Sequence, residues 1–450
     1  MKTIKQQLEE LGFSPESNPK VFQLLHNKDY IYKLSIPQGI LDKDKNFTRK
    51  SDIGKKDLLT IHSDELVAKE LILVIINTLS NSYFLSLQSD NKRVQLGYKR
   101  LYSKILEGLT QLNKKEGTTI YKKVLKLLID KKIMEKGKNY STEQGKATEY
   151  RLTDAFFNEK FTRYNIETQS IRNRINKSTV ENLDKLRYNT LALNQLKNLV
   201  YLDYMTAEQV EEVLNDAVKD GYTNKKDKKL VKKGKNPKRY SDRSKYVHLE
   251  DYLADFQQLH SKLLVPIITG DEAGERVITK FNLTPSLIRE KMTMQGEEMV
   301  EVDYSCLHPN IAIKLYASDN DDKSQITHDK VADYLGIDRK EAKIEHLSFF
   351  NKRVEDMKKS PLWKYYEDKC PGMIKRLTLN KDFHGHKNTS SALFQAETNL
   401  MTAVVKELEE CGVNCLYVFD AMAVKKVDYD QVVDIMNYVA EEHKIDTTAS

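Results

Sequence analysis

From Asp64 to Ser86 apolar residues recur at helical spacing, and a second run of the same kind extends from Gly97 to Leu112. A third opens at Thr118-Thr119, whose hydroxyls suit a helix start, and places Ile120, Val124, Leu127, Leu128 and Ile133 on one side. After a polar turn through Gly145, the alternation Thr148-Glu149-Tyr150-Arg151-Leu152 predicts a β-ribbon. Residues 160 to 220 read as helical, with a basic patch at Arg172, Arg174 and Lys177. Further on the pattern changes. Met299-Val300-Glu301-Val302-Asp303 and Asn414-Cys415-Leu416-Tyr417-Val418-Phe419-Asp420 are short apolar strands, each ending in aspartate. Ala421-Met422-Ala423-Val424 returns as the hairpin partner of the second.

At 450 residues the chain is long enough for two or three domains. The patterns divide it into an N-terminal extension (1–60), a front domain (61–160), a helical and basic linker region (161–250) and a C-terminal domain (251–450). The Pro/Gly/Asp-rich stretch from Pro37 to Gly54 offers no clear chemistry. Three helices and a short ribbon resemble a winged helix-turn-helix. Such a module lays its last helix in a major groove, and Lys122, Lys123 and Lys126 fall off the apolar stripe of that helix, where they can meet phosphates. A solvated face or a protein-contact role is the alternative.

Composition narrows the classes. With 40% hydrophobic and 31% charged residues, 17 Gly and 9 Pro, most of the chain is expected to fold. Four Cys suggest a reducing compartment, with the cytoplasm as the expected location. The longest apolar run, Leu71 to Ile76, is far shorter than the roughly 20 residues of a membrane span, and no membrane association is expected. The net charge of +7 is unevenly placed, because Lys219 to Lys245 holds 12 Lys/Arg against three acidic residues. Lys225 to Lys245, with Lys225, Lys226, Lys228 and Lys229, reads as a mobile basic loop or linker, either solvated or touching a polyanion.

The two strand-end aspartates carry the chemistry. A carboxylate at the exit of a core strand needs something to neutralise it, and a divalent cation is one such partner. Between them, the segment Asp338 to Phe350 is a basic helix on which Arg339 and Lys343 are four apart, so they share a face and can grip one polyphosphate.

Asp303-Tyr304-Ser305 after an apolar strand resembles motif A of the family A DNA polymerases, whose relatives include the single-subunit phage RNA polymerases. Arg339-Lys340-Glu341-Ala342-Lys343 is similar to the R-x-x-x-K that opens their fingers helix, and Ile326-Thr327-His328 to the histidine-bearing segment before it. Leu393 to Met401 leading to Val418-Phe419-Asp420 is similar to the helix and hairpin of motif C. The resemblance covers Arg289 to Val427 in the family's order. There are departures: Phe419-Asp420-Ala421 stands for His-Asp-Glu, Asn351-Lys352 for Tyr-Gly, and His308 for the glutamate that helps exclude a ribose 2′-hydroxyl.

The resemblance implies an α+β chain: a helical, winged-helix-like front domain, then a mainly antiparallel palm with helical fingers. It implies a template-directed nucleotidyltransferase, a replication protein of a phage or other mobile element, using two Mg²⁺ ions that Mn²⁺ can replace. Asp303 and Asp420 would be catalytic and, with the Tyr304 carbonyl, would hold the metals. Arg339, Lys343, His328, Tyr304 and His308 would face the nucleoside triphosphate, and Gln395 the DNA primer end. An RNA polymerase or primase on the same palm is one alternative, and a non-catalytic replication initiator with a degenerate palm is another. Glu397 lies on the apolar face of its helix, in either a structural or a catalytic role. The pair Cys411 and Cys415 lacks the second ligand pair of a zinc site, and His384-Gly385-His386 reads as a polar loop.

Overall fold

A computed structural model describes residues 2–26, 32–88, 93, 96–110, 120–139, 147–157, 161–224, 227–232, 245–253, 256 and 265–450. The protein is a mixed α+β chain in which the sheets are antiparallel apart from one short parallel pair. It divides into two compact units with interleaved boundaries. The first comprises Met1–Asp184, Ala217–Tyr222 and Lys228–Lys262, the second Lys185–Asp216, Thr223–Asp227 and Leu263–Ser450. No helix among the described residues is long and apolar enough to cross a membrane.

The first unit is arranged around β1 (Lys33–Pro37) and α1 (Glu65–Gln88). The side chain of Asp64 starts α1 by accepting from the amides of Leu66 and Val67 at 2.8 and 3.1 Å. Leu71, Ile72, Leu73, Ile75 and Ile76 are all fully buried, so the middle of the helix is apolar all round and has to be wrapped rather than laid on a surface. Around it come β2 (Lys99–Arg100), α2 (Ser103–Thr110), α3 (Ile120–Asp130), β3 (Met134–Lys136) and β4 (Glu149–Leu152). The three short strands pair in the order β2-β4-β3. Within the helical run expected over Gly97 to Leu112, Lys99–Arg100 is a strand and Ser103–Thr110 a helix, while residues 111 and 112 lie outside the described residues. β5 (Phe161–Asn165) pairs antiparallel with β1, and α4 (Gln169–Asp184) follows. Residues 33 to 53 thus belong to the same core as α1 to α4, with Ile36 and Ile40 fully buried in it.

A buried carboxylate joins these pieces. Glu70, on α1, is fully buried and accepts from the Tyr164 hydroxyl (3.1 Å) and from the amides of Glu167 (2.6 Å) and Thr168 (3.0 Å) just ahead of α4. The amides that open a helix have no intrahelical acceptor, and an anion at that end satisfies them.

The second unit contains α5 (Thr190–Asn198), β6 (Leu202–Asp203), β7 (Thr293–Met294) and β8 (Glu297–Asp303). Next come α6 (Leu307–Tyr316), α7 (His328–Leu335), α8 (Arg339–Phe349), α9 (Leu362–Lys369), α10 (Pro371–His384) and α11 (Asn388–Glu410). The chain closes with β9 (Cys415–Val418), β10 (Ala421–Lys425) and α12 (Tyr429–Glu442). The sheet runs β9-β10-β8-β7-β6, antiparallel throughout. The edge of β9 is not left open, since the side-chain amides of Asn198 and Gln195 donate to the carbonyls of Cys415 and Tyr417 at 2.9 and 3.2 Å.

The sequence segments and the two units do not coincide, because residues 185 to 216 supply α5 and β6 to the second unit. Lys229–Val231, expected in a mobile loop, is a strand paired in parallel with Tyr246–His248.

Replacing Glu70 with Leu leaves a buried hydroxyl and two amides without their acceptor, at about 1–3 kcal/mol each. Urea unfolding of Glu70→Leu should show a loss of about 3 kcal/mol or more. A loss under about 1 kcal/mol would mean that water reaches these donors.

Candidate active site

The strand pleat sets the site. Val302 and Tyr304 point to one face of the sheet, where both are buried, and Asp303 points to the other, where it is exposed. In the register of β8 with β10, Asp303 lies opposite Ala421, and Asp420 is in the two-residue turn that precedes it. The Tyr304 amide donates to the Asp420 carbonyl at 3.2 Å. Two aspartates 117 positions apart are thereby adjacent at one end of one sheet. On its other edge, the Asp303 backbone exchanges two hydrogen bonds with Ser450 at 3.0 and 3.1 Å.

Backbone strain accompanies both aspartates. Phe419, immediately before Asp420, has φ +61°, and Cys306, three residues after Asp303, has φ +51°. Non-glycine residues in this region cost about 1–2 kcal/mol and cluster at functional sites. The Tyr304 side chain is turned away from Asp303: its hydroxyl donates to the Met436 carbonyl at 2.5 Å and burial raises its pKa. A contact from Tyr304 toward a nucleotide is therefore left to its backbone.

The cationic face lies on α8. Asp338 caps the helix through the Lys340 amide at 2.7 Å. Arg339 and Lys343 are exposed one turn apart, and Arg339 pairs with Asp329 at 2.9 Å. Both cations lie near the motif that carries Asp303. The Cys306 thiol is pushed up to about 11 by burial, and the charges of Arg339 and Lys343 act on it in the opposite sense. They act on His328 as well: burial draws it down to about 4, and Lys343 and Arg339 push the same way. His328 Nδ1 lies 3.1 Å from Nδ1 of His346, whose pKa falls to about 3 through burial and the neighbouring His328.

His308, on α6, is engaged elsewhere. Its Nε2 is 2.6 Å from Glu397 Oε2 and 3.3 Å from an Arg276 amino group. Glu397 is 1% exposed and is also bonded by Arg276 and, at 3.3 Å, by the Tyr417 hydroxyl. Burial alone would raise the Glu397 pKa, but the hydrogen bond from His308 and the Arg276 charge outweigh it and hold it below its ordinary value. The Arg276 guanidinium lies over Phe394 at 3.8 Å and 5.4 Å from Phe419, beside Asp420, and its buried Nε has no acceptor among the described residues. Sequence reasoning missed Arg276. It lies in a mixed-charge turn without periodicity, and the one available signal was the buried position expected for Glu397, which requires a cation somewhere.

The remaining candidates are dispersed. Gln395 is half-buried on α11 and donates to Asn399 at 3.4 Å. Lys122, Lys123 and Lys126 form the exposed side of α3 in the first unit, with Tyr121, Val124, Leu125 and Leu128 buried behind them. Lys228 is half-buried and Lys229 exposed, whereas Lys225 and Lys226 lie outside the described residues. Asp227 pairs with Lys340 of α8 at 2.6 Å.

Among the described residues no group of three or more His, Cys, Asp or Glu gathers as a metal cage. The donors at the sheet end, two carboxylates and a backbone carbonyl, are hard oxygens. They fit Mg²⁺, which keeps several waters and shares substrate phosphate oxygens instead of using an all-protein cage. Searches against known protein families, curated proteins and solved structures find no match for this chain.

Both histidines have folded pKa values below the ordinary 6.5. Below pH 6.5 the unfolded chain therefore takes up protons that the native chain refuses, and stability falls as the pH falls from about 6.5 toward 4. Urea midpoints should decline across that window and decline less in His346→Asn. An equal slope in the variant would assign the acid loss to other groups.

Proposed function

We propose that the second unit is a template-directed nucleotidyltransferase of the family A type, a DNA polymerase-like replication enzyme. The observation that carries this reading is the pairing of Asp303 with the turn of Asp420 at one end of an antiparallel sheet, next to a helix presenting Arg339 and Lys343. In this reading Asp303, Asp420 and the Tyr304 carbonyl hold two divalent cations. When bound, such a pair supplies positive charge to activate a 3′-hydroxyl and to stabilise the leaving pyrophosphate. Arg339 and Lys343 bind the triphosphate and offset charge that moves onto the leaving group. His328 contacts the same phosphates from α7. The Arg276–Glu397–His308 cluster braces the turn that bears Asp420, with Arg276 stacked against Phe394 and close to Phe419.

The first unit supports a second part of the proposal, a winged-helix nucleic-acid-binding module. The order helix, strand, helix, helix, strand, strand from α1 to β4 supports it, as does the lysine face of α3. Free, unpaired cysteines at all four positions suit a cytoplasmic setting.

Primer extension on DNA and RNA templates, with deoxy- and ribonucleotides offered separately, tests the enzyme and its sugar choice. Asp303→Asn and Asp420→Asn should abolish incorporation, because an amide lacks the charge to hold two cations. Arg339→Ala and Lys343→Ala should raise the KM for nucleotide and lower kcat about 10- to 1000-fold. Extension that persists in Asp420→Asn would remove that residue from the site. Absence of activity in every combination would favour a non-catalytic replication initiator.

Replacing Lys122, Lys123 and Lys126 together with Ala should weaken DNA binding to a similar degree for all sequences and flatten the dependence of log K on log salt by about 3. An unchanged slope would make the α3 face a solvated surface.

A further inference from the structure

A chain of three polar side chains runs inward from His328. His328 Nδ1 is 3.1 Å from His346 Nδ1, and His346 Nε2 is 2.8 Å from the Tyr366 hydroxyl on α9. His346 is 8% exposed and Tyr366 fully buried. Phe349 stacks on the Tyr366 ring at 5.2 Å with the planes 23° apart, and Phe350 and Tyr365 close its other sides. Of the three, only His328, half-buried, reaches the surface, where the charges of Arg339 and Lys343 on α8 and of Asp329 act on it.

The direction of the chain follows from satisfaction of buried donors. The Tyr366 oxygen has one hydrogen-bond partner among the described residues, His346 Nε2. If His346 donated to the tyrosine, the phenolic O–H would be left buried with no acceptor, at a cost of about 1–3 kcal/mol. Tyr366 therefore donates, His346 Nε2 accepts, and the His346 proton sits on Nδ1. That N–H has two acceptors, the Ala342 carbonyl one turn back on α8 and His328 Nδ1. Because two N–H groups cannot face each other at 3.1 Å, His328 Nδ1 must be the unprotonated nitrogen, which leaves the His328 proton on Nε2.

We propose that Tyr366 and His346 are positioning residues for His328, locking it as the tautomer that presents an Nε2–H donor to the phosphate oxygens of a bound nucleoside triphosphate. The ligand rests on the nucleotidyltransferase reading; the tautomer does not. Burial keeps both imidazoles neutral near pH 7, so the hydrogen-bonded chain and not a positive charge sets what His328 offers. A lone pair in that position would repel phosphate, whereas an N–H adds a directed bond beside the charges of Arg339 and Lys343.

The test combines nitrogen-15 spectra of histidine-labelled full-length protein with binding of Mg²⁺-dATP and Mg²⁺-ATP. The His328 signals are assigned by their loss in His328→Gln. In the wild type, His328 should show a protonated Nε2 and an unprotonated Nδ1. Tyr366→Phe keeps the stacked ring but removes the donor, so the His346 proton is free to move to Nε2. His328 should then become a mixture of tautomers, and nucleotide affinity should fall in proportion to the lost Nε2–H fraction, about 2-fold for an even mixture. His346→Asn places an amide N–H where Nδ1–H stood, so it should restore both the tautomer and the affinity. A His328 that keeps only the Nε2–H form in Tyr366→Phe overturns the relay. A changed tautomer with unchanged affinity overturns its role in binding. A wild-type chain that binds neither nucleotide overturns the triphosphate reading, while its spectra still decide the tautomer.

Discussion

The antiparallel register of β8 against β10 is the constraint on which the candidate site depends. A slip of one residue would turn Asp303 onto the face now held by Val302 and Tyr304 and bury it without a partner. Several features oppose that slip. Val302 and Met422 lie opposite each other and are both fully buried. Arg289 grips Glu301 through two hydrogen bonds at 2.6 and 2.9 Å. The tight turn at Phe419 and Asp420 leaves no spare residue to absorb a shift.

Around that sheet the unit repeatedly buries ionisable groups, each with its own compensation. Glu397 has Arg276 and His308. Lys381, on α10, donates to the carbonyls of Phe350, Lys352 and His386 at 2.8, 3.0 and 3.0 Å, and burial draws it down to about 8. The first two carbonyls lie where α8 ends, on either side of Asn351. A buried ammonium thus fixes the far end of the helix whose exposed face carries Arg339 and Lys343. Asp321 likewise accepts the amides of Gly372 and Met373 at 2.8 Å and fastens the start of α10. Such arrangements resist repacking, because removal of one partner strands the other in a low-dielectric setting. The cationic helix face and the two aspartates are therefore held from behind by groups that are buried or largely so.

Some of this was legible along the chain. The apolar, β-branched character of Met299 to Val302 and the apolar run to Phe419 announced the two strands that lead to Asp303 and to the turn of Asp420, since strand character is a local property. The spacing of Arg339 and Lys343 likewise put both on one helix face, and Lys122, Lys123 and Lys126 fell opposite the apolar stripe of α3 as their positions demanded. The buried position of Glu397 could be inferred from its apolar neighbours on α11.

What the chain could not disclose locally was every pairing across large separations. Arg276 reaches Glu397 over 121 positions, Tyr164 reaches Glu70 over 94, and Asn198 closes the edge of β9 over 217. Nor did periodicity assign residues 185 to 216 to the second unit or Lys33–Pro37 to the core of the first. The amino-acid sequence by itself determined which side chains share a strand face or a helix stripe, because those follow from backbone geometry over a few residues. Only the tertiary structure decided which buried charge meets which, because a buried group is stabilised by whatever partner the packing brings within hydrogen-bonding distance, however far away it lies in the chain.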